Sequence, residues 1–229
     1  MNLAIIQNFI VTKQERFNVL EEILPPIAQY FSNNNFYVNF NSITNLEKIH
    51  SLYKTNINKL AFYNNLTNDY GLILQSMLNE VTEDYVFIIP EDFRLVNKSK
   101  YFINLFNEFT NYDCDFMLMH RIEEVKCYGT NKKYFNLYDT KETLHLVNSS
   151  KYPGSCLSSV AIYKKSFLNE FLNLYNNSNK SERFPLATPN CYEWFSHEHV
   201  YSLVGDRRFA IPQKAVIQHY EPFNTKERI

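Results

Sequence analysis

The chain begins with a short apolar run followed by a segment with helical spacing. Residues 3–11, LAIIQNFIV, are mostly apolar and rich in β-branched side chains, which predicts a first strand. Thr12 then opens a capping-box pattern, and Phe17, Leu20 and Leu24 recur at the spacing of one helix face. The pattern therefore predicts a strand that leads directly into an amphipathic helix.

Two adjacent prolines stand inside this helical pattern. Pro25 and Pro26 have no backbone N–H to donate, and the ring of a proline clashes with the preceding helical turn. We therefore predict that the helix ends or kinks at these residues. A second short turn of helix is expected to continue to Phe31.

The alternation of strand and helix occurs four times in the first half of the chain. Three further apolar runs predict strands, and each is followed by a segment with helical character. Strands that alternate with helices form parallel sheets covered on both faces, so we predict an α/β, Rossmann-like fold. The predicted strands are 36–40, 59–63 and 85–89, and the predicted helices are 44–53, 69–80 and 98–109.

The pattern changes after Asp113. Several strand-like runs follow one another without helices, so the second half is predicted to form a mixed or antiparallel sheet. One helix is predicted near the end of the chain, from the Thr188-Pro189 pair to about Leu203, with Gly205 placed to terminate it. The strand-like runs are 115–122, 134–140 and 143–149, and residues 209–220 are predicted to form one last extended segment.

Composition limits the number of domains and the kinds of partner. A chain of 229 residues with 45% apolar residues can close one hydrophobic core, so a single domain is expected. The net charge is −1 and the basic residues are scattered among acids, which argues against a nucleic-acid partner.

No segment approaches the length of a membrane span and no secretory leader is recognisable, so the chain is expected to be soluble and cytoplasmic. The four cysteines include no CxxC pair, which argues against a zinc knuckle or a disulfide scaffold.

Two adjacent acids follow the fourth predicted strand. Glu91 and Asp92 come directly after Pro90, at the end of the apolar run 85–89. In open parallel sheets, ligands bind beyond the carboxyl ends of the strands. The two carboxylates are therefore either a solvated polar turn or part of a site for a metal ion or a phosphate.

Several short segments at strand and helix ends together carry a resemblance to a known family. They are TKQERF at 12–17, NSITN at 41–45 and PED at 90–92, followed by the series Glu193, Gly205, Pro212 and His219. In this order and with this spacing, the sequence resembles the GT-A fold glycosyltransferases, especially the large group of inverting enzymes that use nucleotide sugars. The resemblance covers nearly the whole chain.

The resemblance implies a domain organisation and a reaction. Residues 1–229 would form one GT-A-like domain, with a nucleotide-sugar-binding half at 1–112 and an acceptor-binding half at 113–229. The expected reaction moves a sugar from a nucleoside diphosphate to a hydroxyl group, with inversion at the anomeric carbon. The hydroxyl would belong to a glycan, a lipid-linked sugar or a protein.

The resemblance also places three residues beside the donor nucleotide. Asn41 and Asn45 stand in the segment with which the family holds the base, and Asp69 stands where the family contacts the nucleotide. Asp69 has an alternative role as the N-cap of the helix that follows it, because an Asp side chain accepts hydrogen bonds from the first N–H groups of a helix. The two roles are compatible.

A divalent cation is part of the chemistry that the resemblance implies. Asp92 occupies the last position of the family's acidic triplet. In the family, the acid at that position binds the cation. Mg²⁺ or Mn²⁺ would neutralise the diphosphate that leaves the sugar. Glu91 is expected to assist as a direct or water-mediated ligand, and His219 is either a second metal anchor or an ordinary histidine at a strand end.

Two positions depart from the family pattern. Pro90 replaces the first acid of the triplet, which removes one potential metal ligand. Asn41 replaces an Asp, and its amide keeps an acceptor oxygen without the negative charge. These departures support an alternative function, in which a catalytically degenerate GT-A-like domain binds a glycan or a partner protein.

Transfer also needs a base that accepts the proton of the acceptor hydroxyl. Glu193 fits this role by its spacing to Gly205, and it stands in the first turn of the predicted helix, where the helix dipole favours its charged form. Glu198 is the alternative base. It lies five residues further on, about 140° around the helix, so both carboxylates cannot face one pocket.

A nucleotidyltransferase on a related sheet is a third interpretation. Such an enzyme needs a glycine-rich loop after the first strand to hold a triphosphate. Residues 7–16, QNFIVTKQER, contain no glycine, which argues against this chemistry.

Overall fold

The computed structural model describes ten stretches of the chain, and the secondary structure given below lies within them. They are residues 2–10, 14–41, 46–53, 57–64, 69–90, 92–97, 100–119, 136–148, 160–177 and 207–220.

The described strands form one nine-stranded sheet and one two-stranded ribbon. The strands are β1 (Leu3–Ile10), β2 (Asn35–Asn41), β3 (Lys59–Asn64), β4 (Tyr85–Ile88), β5 (Phe93–Leu95), β6 (Phe116–Leu118), β7 (Asn136–Thr140), β8 (Leu144–Asn148), β9 (Ala161–Lys164), β10 (Arg208–Pro212) and β11 (Ile217–His219). The order in the large sheet is β3-β2-β1-β4-β9-β6-β10-β8-β7, and the ribbon consists of β5 and β11.

Five helices within the described stretches cover the two faces of this sheet. The helices are α1 (Gln14–Tyr30), α2 (Leu46–Leu52), α3 (Tyr70–Glu80), α4 (Tyr101–Asn111) and α5 (Lys165–Asn177). Buried side chains of α1, α2 and α4 belong to one apolar cluster, and those of α3 and α5 belong to the cluster on the other face.

The first four strands of the large sheet are parallel, as the sequence predicts. The chain builds the sheet outward from β1 to β2 and β3, and it then crosses back to place β4 on the other side of β1. The strand order therefore reverses between β1 and β4. In open α/β sheets the crevice at such a switch point, beyond the carboxyl ends of the strands, is where ligands bind.

The second half of the chain forms a mixed sheet, which confirms the prediction. Strand β9 runs antiparallel to both β4 and β6, while β10 runs parallel to β6 and antiparallel to β8. Strands β7 and β8 form an antiparallel pair at the edge. One continuous sheet thus contains strands from both halves of the chain.

The two prolines of α1 do not end the helix. Pro25 and Pro26 lie inside a single helix of 17 residues, so of the two predicted alternatives, an end or a kink, the end is wrong. Two missing N–H groups remove at most two intrahelical hydrogen bonds. Burial of the flanking apolar side chains, among them Leu24 and Ile27, offsets this loss because these side chains are almost completely removed from water.

The predicted last extended segment is two strands. Residues 208–212 form β10 in the large sheet, whereas 217–219 form β11 in the ribbon. Residues 213–216 between them contain bends, and the Gln213 N–H donates to the Thr143 carbonyl oxygen at 2.8 Å. The chain therefore leaves the large sheet and enters the ribbon within four residues. The sequence pattern is extended throughout, so it does not show this change of partner strand.

Helix α5 was not predicted from the sequence, although its pattern is regular. Buried residues recur along it at three- and four-residue spacing, from Phe167 to Tyr175.

Among the described residues, no helix is long and apolar enough to cross a membrane. The predicted helix from Thr188 to about Leu203 lies outside the described residues.

Candidate functional site

Strand β1 extends beyond its neighbour β4 at the switch point. The last residue of β1 paired with β4 is Ile6, opposite Ile88, and the Ile89 N–H then donates to the Ile6 carbonyl oxygen at 3.0 Å. On its other side, β1 continues to pair with β2 as far as Ile10. The segment 7–10 of β1 therefore extends beyond the end of β4 at the switch point, and the region beside it is the crevice where the fold leads us to expect a ligand.

Three buried amide side chains interrupt the apolar pattern of the central strands. Gln7 and Asn39 are fully buried, and Asn8 is 6% exposed. Strands of a parallel sheet that is covered on both faces are normally apolar throughout. Polar side chains at these positions therefore require a specific explanation, because burying an amide without partners is costly.

Gln7 belongs to the face of the sheet that carries α1 and α2. The hydroxyl group of Tyr53, which directly follows α2, donates to Gln7 Oε1 at 2.7 Å. Burial raises the pKa of Tyr53 well above its usual range, so the hydroxyl stays protonated and remains a donor. Gln7 Nε2 is buried and has no hydrogen-bond partner within the described part of the chain.

Asn8 and Asn39 form a buried pair across neighbouring strands. They are opposite each other in the register of β1 and β2, and Asn39 Nδ2 donates to Asn8 Oδ1 at 2.8 Å. Asn8 Nδ2, like Gln7 Nε2, is buried without a partner among the described residues. Two amide groups beside the crevice thus keep unused N–H donors, one on each face of β1.

Asp92 is held at the far side of the crevice by the ribbon. It directly precedes β5 and is half-buried, and the Tyr220 N–H donates to its carbonyl oxygen at 2.7 Å. In the ribbon, His219 pairs through its backbone with Phe93. The structure therefore brings the backbones of positions 92 and 219 together, although more than 120 residues separate them in the sequence.

Asp69 caps helix α3. Its side chain accepts hydrogen bonds from the Gly71 N–H at 3.0 Å and from the Leu72 N–H at 3.3 Å. Because α3 follows β3, its start lies at the carboxyl edge of the parallel strands. The capping role is therefore observed, and the nucleotide contact remains a prediction.

The other predicted site residues fall partly or wholly outside the described residues. Asn41 is the last residue of β2, at the carboxyl edge, and its side chain is not described. The same holds for the side chain of His219. The remaining four predicted residues, Asn45, Glu91, Glu193 and Glu198, lie outside the described residues altogether.

The Asp92 carboxylate fits a metal ion that is held jointly by the protein and a bound donor. No group of three metal-ligating side chains occurs within the described stretches. Of the predicted ligands, Asp92 is the one whose side chain they include. Mg²⁺ and Mn²⁺ are commonly held by one or two carboxylates together with the phosphates of the substrate. A single carboxylate beside the crevice is compatible with this mode of binding.

Another acidic segment, Asp113-Cys-Asp115, lies at the opposite edge of the sheet. Asp115 directly precedes β6, which is parallel to β4, so it is level with the beginning of β4. Asp113 forms an ion pair with Lys164, which lowers the pKa of the Asp113 carboxyl group. These acids therefore lie away from the carboxyl ends of the parallel strands, where a ligand is expected to bind.

The three buried amides were not predicted as site residues from the sequence. The signal was present, because Gln7, Asn8 and Asn39 are polar residues inside runs that otherwise predict fully buried strands. Their significance depends on the strand order, which places β1 at the switch point.

Known structures share this fold, whereas no protein-family profile and no curated protein sequence matches the chain. S. aureus TarS 1-349 in complex with UDP is similar with a TM-score of 0.60 and 16% identity, over 96% of this chain and 61% of that chain. Glucosyl-3-phosphoglycerate synthase from Mycobacterium tuberculosis, in complex with Mg²⁺ and UDP, has a TM-score of 0.52 and 9% identity, over 96% and 72%. The mannosyltransferase PcManGT from Pyrobaculum calidifontis, in complex with GDP-Man and Mn²⁺, has a TM-score of 0.52 and 8% identity, over 99% and 58%.

These similarities establish the fold class. The chain has a GT-A-like α/β fold, with a large and partly parallel sheet, which confirms the fold prediction. At such low identities the likeness concerns the fold alone. The chain also spans only 61% of the TarS chain that it matches.

Proposed function

We propose that this protein is a glycosyltransferase that moves a sugar from a nucleotide-diphosphate donor to a hydroxyl acceptor, with inversion. The observation that carries the proposal is the pair of unused amide donors, Gln7 Nε2 and Asn8 Nδ2, buried at the switch point of a GT-A-like fold. Buried polar groups without partners are rare in native proteins and call for an explanation such as a functional role. Because the two donors lie on opposite faces of β1, a donor nucleotide at this switch point would supply an acceptor to one of them.

Three further features support this assignment. Asp92 lies beyond the end of β4, on the other side of the same crevice, where a carboxylate can hold a divalent cation against the diphosphate. The start of α3 lies at the same carboxyl edge of the sheet, where the parallel strands β1 to β4 also end. In addition, three proteins of similar fold have UDP or GDP-Man bound.

We assign the remaining roles as the sequence predicts them. Asp92 would hold Mg²⁺ or Mn²⁺, with assistance from Glu91 and His219, and Asn41 and Asn45 would contact the nucleotide. Glu193 would accept the proton of the acceptor hydroxyl, with Glu198 as the alternative base. The cation would supply positive charge beside the leaving diphosphate, Asp92 would hold the cation, and Glu193 would accept the proton.

Nucleotide binding tests this proposal directly. Calorimetric titration with UDP, GDP and CMP, each with and without Mn²⁺, is expected to show binding of at least one nucleotide that Mn²⁺ strengthens. Asp92→Ala should remove the effect of Mn²⁺ while the thermal unfolding temperature changes little, because Asp92 is half-buried and outside the core clusters. Absence of binding for all three nucleotides at every Mn²⁺ concentration would contradict the proposal.

The proposed base is tested separately from donor binding. Glu193→Gln should bind the donor nucleotide as the wild type does but lose transfer by about a factor of 10² to 10⁴, because an amide cannot accept the proton. The matched control is Glu198→Gln. If Glu193→Gln transfers sugar normally and Glu198→Gln does not, then Glu198 is the base.

A second function has its own support in Pro90. This residue stands where the family has the first acid of its metal-binding triplet. A domain that lost this ligand could keep the fold as a binding module for a glycan or a partner protein. Glycan binding without any nucleotide binding would favour this alternative.

A further inference from the structure

We propose that Tyr220 and Glu22 are positioning residues that hold Asp92 in place for the metal ion and the donor. The inference rests on the proposed function, and it adds two residues that lie outside the predicted site. Neither residue would touch the donor. They would act through the backbone of the ribbon that carries Asp92.

The first contact joins the ribbon to helix α1. The Tyr220 hydroxyl group lies 2.8 Å from each carboxylate oxygen of Glu22, so it can donate to either of them. Hydrogen bonds to ionised carboxylates are stronger than those between neutral groups.

A cation adds to this contact. The Arg94 guanidinium lies over the Tyr220 ring, 4.7 Å from the ring centroid. Arg94 belongs to β5, whereas Tyr220 directly follows β11, so the cation–π contact joins the two sides of the ribbon. The Tyr220 side chain therefore contacts both its partner strand and helix α1.

The second link joins Tyr220 to Asp92. The Tyr220 N–H donates to the Asp92 carbonyl oxygen at 2.7 Å, next to the pair formed by His219 and Phe93. Helix α1, Glu22, Tyr220 and Asp92 thus form a continuous chain of hydrogen bonds and covalent bonds. Any movement of Tyr220 away from α1 would displace the backbone of Asp92.

The ribbon needs such support because it is short. Each of its strands has three residues, and an isolated two-stranded hairpin of any length is at best marginally stable in water. Burial of Phe93 and Leu95 against the cluster that contains α1 fixes one face. The contact between Tyr220 and Glu22 fixes the end of the ribbon, at the position level with Asp92.

Tyr220→Phe tests the inference because it removes only the hydroxyl group. We expect the affinity for UDP or GDP in the presence of Mn²⁺ to fall about tenfold, the lower end of the range for residues that support a metal ligand. Affinity for the same nucleotide without Mn²⁺ should stay as in the wild type. Tyr37→Phe is the matched control, because its hydroxyl donates to the Glu80 carbonyl oxygen at the C-terminal end of α3. This control should leave the effect of Mn²⁺ unchanged.

Substitutions of Glu22 extend the test. Glu22→Gln keeps an acceptor oxygen for Tyr220 and should retain most of the Mn²⁺ effect, whereas Glu22→Ala should reproduce the loss seen with Tyr220→Phe. The double variant Glu22→Ala/Tyr220→Phe should lose no more than either single variant, because both remove the same interaction.

The outcomes separate this inference from the proposed function. If the wild type binds UDP or GDP with a Mn²⁺ effect and Tyr220→Phe shows the same effect, the inference is wrong and the function stands. An equal loss of affinity with and without Mn²⁺ would also overturn it, because it would reveal a general structural role. If the wild type binds neither nucleotide, the inference falls together with the function on which it depends.

Discussion

The buried amides of β1 and β2 are the most informative side chains of this protein. Strands in a parallel sheet that is covered on both faces are normally apolar throughout, so apolar residues would fit these buried positions better than amides do. Gln7 and Asn8 instead keep N–H groups that have no partner within the described residues. Functional sites commonly retain groups that do not favour stability, because the ligand completes their hydrogen bonds.

We predict that the double substitution Asn8→Leu/Asn39→Leu lowers both stability and nucleotide affinity. Replacing both partners of a buried hydrogen bond with apolar groups costs little by itself, but Asn39 has a further interaction, so the free energy of unfolding should fall by about 1–3 kcal/mol. Nucleotide affinity should fall about tenfold, equivalent to about 1.4 kcal/mol, because the donor of Asn8 is lost. Urea denaturation and calorimetric titration measure the two quantities.

Asn34→Leu provides the control for this prediction. Asn34 is also a buried amide, but its Nδ2 donates to the Leu3 carbonyl oxygen at the beginning of β1, away from the crevice. Its loss should lower stability and leave nucleotide affinity unchanged. Equal nucleotide affinity in the wild type and in the Asn8/Asn39 double variant would show that this amide pair is not part of the site.

Helices α3 and α5 pack so closely that their contact depends on a glycine. A Cβ atom added at Gly71 would lie 2.6 Å from the nearest ring atoms of Tyr175 and 2.3 Å from Asn176 Oδ1. Gly71 is in the first turn of α3, two residues after the Asp69 cap, so its close approach also sets the position of that cap. The two helices together cover the face of the sheet that carries Asn8.

Gly71→Ala is therefore expected to destabilise the protein even though alanine favours helices. Overpacking against Tyr175 should lower the free energy of unfolding by about 1–3 kcal/mol. Ser76→Ala, at an exposed position of the same helix, should change it by no more than about 0.5 kcal/mol. A Gly71→Ala variant as stable as the wild type in urea denaturation would show that α5 moves aside freely.

The switch point brings distant parts of the chain to one crevice. Strand β1 lies at its centre, β4 delivers Asp92 to one side, and β11 returns from the C-terminal half to hold Asp92 in place. Mg²⁺ and Mn²⁺ are commonly held by one or two carboxylates together with the phosphates of a substrate, so we expect a donor phosphate to complete the coordination sphere of an ion bound at Asp92.

This arrangement predicts that the metal ion and the nucleotide bind cooperatively. Mn²⁺ titrated alone should bind at least about tenfold more weakly than Mn²⁺ titrated in the presence of the bound nucleotide, because phosphate oxygens supply the missing ligands. Asp92→Asn, which keeps the shape of the side chain, should abolish the difference. Equally tight Mn²⁺ binding with and without nucleotide would indicate a complete protein site that lacks this dependence.

Much of the fold was predictable because the patterns concerned are local. Apolar runs and helical spacing gave the strands and helices of the first half, and the position of Asp92 at the end of a strand followed from the same pattern. The prolines of α1 misled because burial of neighbouring side chains, which is a tertiary effect, outweighed a local preference. The break between β10 and β11 was missed because both pieces are extended and differ only in their partners.

The sequence by itself determined the α/β class, the order of most elements and the acids that follow the fourth strand, since each of these depends on neighbouring residues. Only the tertiary structure decided that β1 lies at the switch point, that Gln7 and Asn8 border the crevice, and that Tyr220 contacts Glu22 across 198 positions. The physical reason is that hydrophobic spacing defines which face of an element is buried, whereas the choice of partner depends on the packing of all elements at once.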